Sequence, residues 1–307
     1  MGASGLGSRA IIGSFYNELQ QNLGASWIPG CSMEFKSDQE SETYKWLGMA
    51  PAMREWVGGR WAKGFREAGL TIVNKTYEAT MEVLVDEIRR DKTGQVMLRV
   101  AELARRTNAH WAKLLTTLIV AGTSATCYDG SYFFHTAHSE GDSGTLDNDL
   151  TGAAATATQP TSAEMETAIM ACIQAILGFK DDQGEPMNED AKEFLVMVPP
   201  VYLAPAVAAT KNEFTSAGVS NTLVNMKGFG IQLEVNPRLT SGAIFYTFRT
   251  DAKTKALIRQ SEEDVTVSAI AEGSELEFNE NKHHYGVKAI RNVGYGYWQH
   301  ACVYTFT

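Results

Sequence analysis

The run Cys127-Tyr-Asp-Gly-Ser-Tyr-Phe-Phe-His-Thr-Ala-His138 holds the residue types with the most chemical potential in this chain. Asp129, His135 and His138 together could contribute to a site for a borderline cation, because imidazoles and a carboxylate are good ligands for zinc or manganese. On that reading the chain would be a metal-dependent hydrolase. The spacing argues against it: two histidines at i and i+3 on a turn bring no third ligand with them, and His110, His283, His284 and His300 are scattered. The residues favour a tight turn at Asp129-Gly130, with Tyr132, Phe133 and Phe134 packed inward and the histidines hydrogen-bonded at its edge. No other motif competes. Neither phosphate-cradling glycine loop is present, Gly228-Phe-Gly230 lacking the third glycine, and there is no G-x-S-x-G elbow. Asp181-Asp182 and Glu262-Glu263 sit in runs of acid and read as solvated loops. The expectation is no catalytic residue, no bound metal and no cofactor.

Such a turn needs a frame, and 307 residues exceed the usual size of a single core, predicting two lobes with extensions. The formal charge of −9 argues against general nucleic-acid binding, which needs clustered Lys and Arg. Its distribution is uneven. Residues 54–75 hold Arg54, Arg60, Lys63, Arg66 and Lys75 against Glu55 and Glu67, whereas residues 262–280 hold seven acids and no base. Two unrelated solvated faces would account for this. So would a basic arm lying over an acidic surface of a neighbouring subunit, where complementary charge fixes register more than affinity. Cys31, Cys127, Cys172 and Cys302 lie far apart with no CxxC, as small apolar core residues of a reducing compartment would. The N-terminus has no secretory pattern, and Leu6 stands where an acylation motif needs Ser or Thr. The longest apolar stretch, 194–209, is interrupted by Pro199, Pro200 and Pro205. No membrane association is expected, and assembly in the cytoplasm is the default.

Along the chain, Ile11, Phe15 and Leu19 recur at helical spacing, giving a short amphipathic arm that needs a surface to lie on. Trp46, Trp56 and Trp61 with Gly58 and Gly59 then crowd rings and glycines together. Trp and Arg are the types enriched at interface anchors, so Trp56, Arg60, Trp61, Lys63, Arg66 and Lys75 are expected at contacts between subunits. Residues 77–85 alternate with period 2 and are expected to pair with 70–72 as a long hairpin around Asn74-Lys75. A two-stranded ribbon needs further support, expected here from another chain. The longest helix is predicted from about 94 to 121, capped by Thr93, stopped at Gly122, with Val96, Val100, Leu103, Thr107, Trp111, Leu114 and Leu118 on its apolar face. A loop is expected over 139–160. A second helix is announced by the capping box Thr161-Ser-Ala-Glu164 and an apolar face of Met165, Ala168, Ile169, Cys172 and Ile176. Residues 194–198 read as a strand buried on both faces, followed by a helix entered through Pro205. Further strands are predicted at 231–235, 243–248, 265–270, 275–278, 285–290 and 301–306. The fold class is α+β.

The block Tyr44-Lys-Trp-Leu-Gly48, Pro51, Arg54-Glu-Trp-Val-Gly58, Arg60, Asn74-Lys75, Tyr77-Glu78, Tyr128-Asp-Gly130, Phe133-Phe134 and His138 resembles the major head subunit family of Mu-like tailed phages and prophages. The closing residues Tyr285-Gly-Val-Lys-Ala-Ile-Arg291 and Ala301-Cys-Val-Tyr-Thr-Phe306 are similar to the last strands of phage capsid proteins. The resemblance implies an HK97-like major capsid fold. On that pattern residues 1–43 would be an N-terminal arm, 44–85 an extended E-loop hairpin and its base, 86–159 a P-domain with its spine helix at 94–121, 160–255 an A-domain, and 256–307 strands returning to the P-domain. It further implies a virion protein that forms hexamers and pentamers of an icosahedral shell around double-stranded DNA, without sequence-specific binding. A portal, a separate scaffold and decoration proteins would be its partners, and a bacterial host's cytoplasm its place of assembly. Some relatives weld subunits by a Lys to Asn isopeptide bond; Lys63 and Lys75 lie in the corresponding segment, but nothing in the sequence singles out an acceptor Asn or a Glu base. An encapsulin-like cage of the same fold, enclosing a protein cargo, is the alternative.

Overall fold

A computed structural model of the chain describes residues 7–22, 24–45, 69–90, 94–214, 220–226 and 228–307. In chain order the elements are α1 (Ser8–Gln21), α2 (Ile28–Cys31), β1 (Ser32–Lys36), β2 (Ser41–Tyr44), β3 (Leu70–Val73), β4 (Lys75–Leu84), α3 (Val85–Arg90), α4 (Gln95–Ala121), β5 (Asp149–Gly152) and α5 (Ser162–Gly178). There follow β6 (Glu193–Val198), α6 (Leu203–Lys211), α7 (Thr222–Asn225), β7 (Gly230–Val235), β8 (Ile244–Arg249), β9 (Leu257–Ile270), α8 (Glu275–Glu280), β10 (Lys282–Tyr295) and β11 (Ala301–Phe306).

The strands form a four-stranded sheet in the order β1-β9-β10-β4, a five-stranded sheet in the order β5-β11-β8-β6-β7, and the two-stranded pair β2-β3. Residues 194–198 are fully buried in β6, inside the larger sheet, as their unbroken apolar run predicts. Helix α5 starts at the expected capping box, with both reciprocal bonds between Thr161 and Glu164 formed, and buries all five residues of its predicted face. At 27 residues α4 is about 40 Å long, and it joins two cores. Val96, Val100 and Ala104 pack with Ile11, Phe15, Val83, Ile88, Tyr285 and Val287. Ala112, Leu115 and Ile119 enter the larger core of α5 and the five-stranded sheet. The buried stripe thus passes through Leu115 and Ile119 rather than Leu114 and Leu118. The second core meets the helix on a face displaced by about one residue from the first. The helix begins at Gly94 in a left-handed conformation (φ 73°) with no side-chain cap; Thr93 lies outside the described residues.

Several expectations need correction. The hairpin pairs different strands: β3 bonds to β2 with Tyr44 opposite Leu70, while β4 bonds along its length to β10, with Lys75 opposite Arg291. Asn74 is the reason, because it makes no reversal. Its N–H donates to the Glu40 carbonyl, its amide Nδ2 donates to the Gln39 carbonyl (2.7 Å), and its Oδ1 accepts from Gln260 Nε2 (2.8 Å). The ribbon is therefore supported within its own chain. So is the arm, since Ile11 and Phe15 of α1 are buried against α4 and the sheet, Ser8 donates to the Glu272 carboxylate, and the Tyr16 hydroxyl accepts from the Val267 N–H (3.2 Å). Residues 275–278 are helical, not extended. Ser274 Oγ accepts from the Glu277 N–H, and Asn281, left-handed at φ 55°, closes the helix. Residues 139–160 include β5, which pairs in parallel with β11. Finally β11 joins β6, β7 and β8 in the larger sheet, whereas β9 and β10 belong to the smaller one.

Candidate functional site

The Asp129 turn is folded as a clasp. Gly130 takes the positive φ (86°) that the turn requires, and Asp129 Oδ1 accepts from the Ser131 N–H (2.9 Å) and the Cys127 thiol (3.0 Å). Asp129 Oδ2 lies 2.7 Å from His138 Nδ1. Burial pushes the Asp129 carboxyl up, but hydrogen bonds from His138, Cys127 and Ser131 outweigh it and hold the group below its ordinary value. The His138 ring is buried and stacked on Trp298, 3.9 Å between centroids at 7°. Its backbone exchanges both hydrogen bonds with Leu146. His135 Nδ1 instead accepts from the Ala137 N–H (3.1 Å). Phe133 and Phe134 are buried as expected, but Tyr132 is exposed, because the two consecutive inward rings leave it on the outer side of the turn. The structure does bring Asp129, His135 and His138 together: Asp129 holds His138 Nδ1, His135 bonds to the backbone, and the buried His138 Nε2 has no hydrogen-bond partner among the described residues. Among the described residues no group of three His, Cys, Asp or Glu is placed to hold a metal ion.

A second polar knot was missed by sequence reasoning. Asn188 is fully buried; its Nδ2 donates to the carbonyls of Ile176 and Gln299 (both 2.7 Å), and its Oδ1 accepts from Arg249 Nη1 (3.0 Å) and faces His300 Nδ1 (2.9 Å). Arg249, also buried, extends to Asp190 (2.6 Å) and Asp251 (2.7 Å). Asn188 ties α5, β8 and the turn before β11 at one point. Its only sequence signal is a polar residue in an acidic loop, which nothing distinguishes from its solvated neighbours.

Of the residues expected at subunit contacts, Trp56, Arg60, Trp61, Lys63 and Arg66 lie outside the described residues. Lys75 is exposed at the start of β4 and has no ion pair among the described residues. The antiparallel register of Tyr44 with Leu70 holds the two ends of residues 45–69 side by side on a two-stranded stem. The acidic stretch is partly neutralised within the chain, where Lys36 pairs with Asp264 (3.1 Å), Lys288 with Glu263 (2.8 Å) and Lys282 with Glu280 (3.2 Å). Phe278 on α8 is 90% exposed, and among the described residues the ten-residue β4 has no strand paired to its outer edge. An open strand edge is, in general, a place where another chain can pair.

Comparison with known proteins gives the family. The family model described as Mu-like prophage major head subunit gpT matches residues 10–162 and 227–305. The chain is 36% identical over 106 residues to the Mu-like prophage FluMu major head subunit of Haemophilus influenzae, covering 34% of each chain. It is 31% identical over 132 residues to the major capsid protein of Escherichia phage Mu, covering 42% of this chain and 43% of that one. The aligned parts thus span less than half the length of these relatives. Among solved structures, a procapsid of bacteriophage JBD30 matches 97% of this chain and 74% of its own (TM-score 0.55, 24% identity). The capsid of cyanophage P-SCSP1u matches 92% and 88% (TM-score 0.56, 12% identity), and at these identities the likeness shows the shared HK97-like capsid fold. With more than half of its length matched, from the arm helix through the Asp129 clasp to the closing strands, the chain belongs to the Mu-like prophage major head subunit gpT family.

Proposed function

We propose that copies of this chain build the head shell of a tailed phage or prophage, closing as hexamers and pentamers around double-stranded DNA. One observation carries the reading: the match to the head-subunit family takes in the arm, α4, the Asp129 clasp and the strands β7 to β11 together. The subunit's role is structural, with energy drawn from heterologous contacts repeated around closed axes. In this reading residues 1–43 with α1 are the N-terminal arm, 44–85 hold the E-loop and its base, α4 is the spine helix of the P-domain, and 160–255 is the A-domain. Trp56, Arg60, Trp61, Lys63, Arg66 and Lys75 are the contact residues, with portal, separate scaffold and decoration proteins as further partners. Assembly takes place in the host cytoplasm.

Negative-stain microscopy of the expressed chain, alone and with a scaffold, tests the proposal. Closed particles of uniform size are expected. The double variant Arg60→Glu with Arg66→Glu is expected to leave folded, unassembled subunits, and normal shells from it would remove the basic segment from the contact. A ladder of masses after boiling in detergent would reveal covalent welding through Lys63 or Lys75. A second reading has one observation in its favour: a virus-like particle from Pyrococcus furiosus matches 96% of this chain and 97% of its own (TM-score 0.53, 10% identity). Nuclease-protected DNA in purified particles supports the head shell, and a co-purified protein cargo without DNA supports the cage.

A further inference from the structure

From Phe194 to Thr210 the sequence holds no charged residue. That suits β6, which is buried, but the run continues through the single 3-10 turn Pro200–Tyr202 and α6, which lies at the surface. One side of α6 is turned to the core, where Ala206, Ala209 and Thr210 are buried, and the Tyr202 ring just before it is buried edge-on against Phe306 (5.8 Å). The other side carries Leu203, Ala204 and Val207 as one helical stripe, with Val201 beside it. Val201 and Leu203 are each 50% exposed and Val207 is 38% exposed. A helix that is apolar on every side is ordinarily a buried one, and depletion of charge marks the centre of a contact between proteins. The described residues leave this stripe uncovered.

A second apolar patch lies across the same sheet. Phe245 of β8 meets Phe306 (5.9 Å) on the side of Tyr202 and α6, whereas Tyr246, the next residue, faces Phe134 of the clasp (5.5 Å). Successive residues of a strand point to opposite faces, so α6 and the clasp cover opposite faces of the five-stranded sheet. At the clasp end Val120, in the last turn of α4, and Tyr132 are exposed, while their neighbours Ile119, Phe133 and Phe134 are buried. The two patches point away from each other and do not meet within one chain. With a few half-exposed side chains each, both are far smaller than the roughly 800 Å² per partner that a stable pair of proteins buries, so neither would hold a dimer by itself. Unlike patches on opposite sides of one subunit suit a head-to-tail ring, in which a weak contact is repeated around a closed axis. We propose that the α6 stripe of one copy packs against the Val120 and Tyr132 patch of the next copy around such an axis. The contact rests on the reading of the chain as a shell subunit, and it names the surfaces through which the copies join.

The double variant Leu203→Cys with Tyr132→Cys tests the contact in assembled particles, because the native cysteines are all buried. Treated with a short bis-maleimide, it is expected to give a ladder on denaturing gels that rises one chain at a time to the pentamer and hexamer, and each single variant is expected to give none. Leu203→Glu, at an exposed position, is expected to abolish particles while the urea midpoint of the free subunit stays where it was. Cross-linked dimers from Leu203→Cys alone would show the stripe meeting itself about a two-fold axis and overturn the proposal. So would double-variant particles that yield no ladder, or Leu203→Glu particles formed in the normal amount, and in both cases the head-shell reading stands. A parent chain that forms no particles, alone or with a scaffold, overturns that reading and this contact with it.

Discussion

Lowering the pH from 8 to 5 should weaken this fold, and His300 carries a share of the loss that can be isolated. His300 is 1% exposed, with Nδ1 2.9 Å from Asn188 Oδ1 and Nε2 2.9 Å from Thr254 Oγ1. Because Asn188 Oδ1 also accepts from Arg249 Nη1, it serves as an acceptor to the ring as well. His300 is accordingly assigned as the neutral tautomer that donates from Nδ1 and accepts from Thr254 at Nε2. Burial is the main cause that holds its pKa down to about 3; Arg249 and Lys255 add to this, and Asp251 and Asp190 oppose it. In the unfolded chain the same ring titrates near 6.5. Between those values the unfolded state binds a proton that the native state refuses, so this stability is present above about pH 6.5 and is lost as the pH falls through that window. Linkage puts the loss at about 2 kcal/mol between pH 8 and pH 5. Urea unfolding followed by far-ultraviolet circular dichroism at pH 8, 7, 6 and 5 measures it, with His300→Gln as the comparison. The difference in slope between the two proteins isolates His300, because every other titrating group, the depressed His110 among them, is common to both; the depressed carboxyls of Asp129 and Asp251 lose their contribution below the range of the assay. A His300→Gln variant that weakens with acid as steeply as the parent refutes the reasoning, as does a His300 ring signal that titrates near 6.5.

Three further outcomes are expected. Asn188→Ala strands the carbonyls of Ile176 and Gln299 together with donors on Arg249 and His300, and should cost about 3–5 kcal/mol in urea unfolding; an unchanged midpoint would mean that water replaces the amide. Thr161→Ala removes the cap on α5 while sparing its buried face, and should cost about 1 kcal/mol by the same measurement. Phe15→Ala empties a buried position under α1 and carries a penalty of up to about 3–5 kcal/mol. That penalty is limited by the arm's own docking free energy, because the helix can lift away. Hydrogen exchange should therefore speed up in residues 8–21 and stay unchanged in 162–178.

Where one face of an element met one core, its pattern was readable. The five apolar residues of α5 and the unbroken run of β6 each face a single environment, so period and burial coincide. Helix α4 meets two cores, and no single stripe describes it. The strand expected at 275–278 failed because Ser274-Glu-Leu-Glu277 carries a capping signal that outweighs a short alternation, even though Phe278 stays in water. Asn74 looked like a turn residue, yet its side chain bridges β9 and the β1–β2 connection, a long-range use that spacing does not report. The clasp was legible as a hydrogen-bonded turn, because Asp-Gly and paired aromatics are local signals. Asn188 was not, since it matters through partners more than sixty residues away in sequence.

The way the ribbon and arm are held changes what assembly must accomplish. A two-stranded ribbon and a lone amphipathic helix would be poorly ordered until neighbours covered them. In this chain β10 lies along β4, while α4 and the smaller sheet receive α1. The conformational entropy of ordering these parts is thus met during folding of the single chain and does not weigh against association. Among the described residues, the outer edge of β4 and the exposed Phe278 are left for a neighbour to cover under the proposed assembly. On the assembly proposed above, subunits held this way would fold before they join, so a charge reversal at Arg60 and Arg66 should abolish particles while leaving the unfolding midpoint of the free subunit where it was. A midpoint that fell together with particle yield would show instead that the basic segment serves the subunit's own fold.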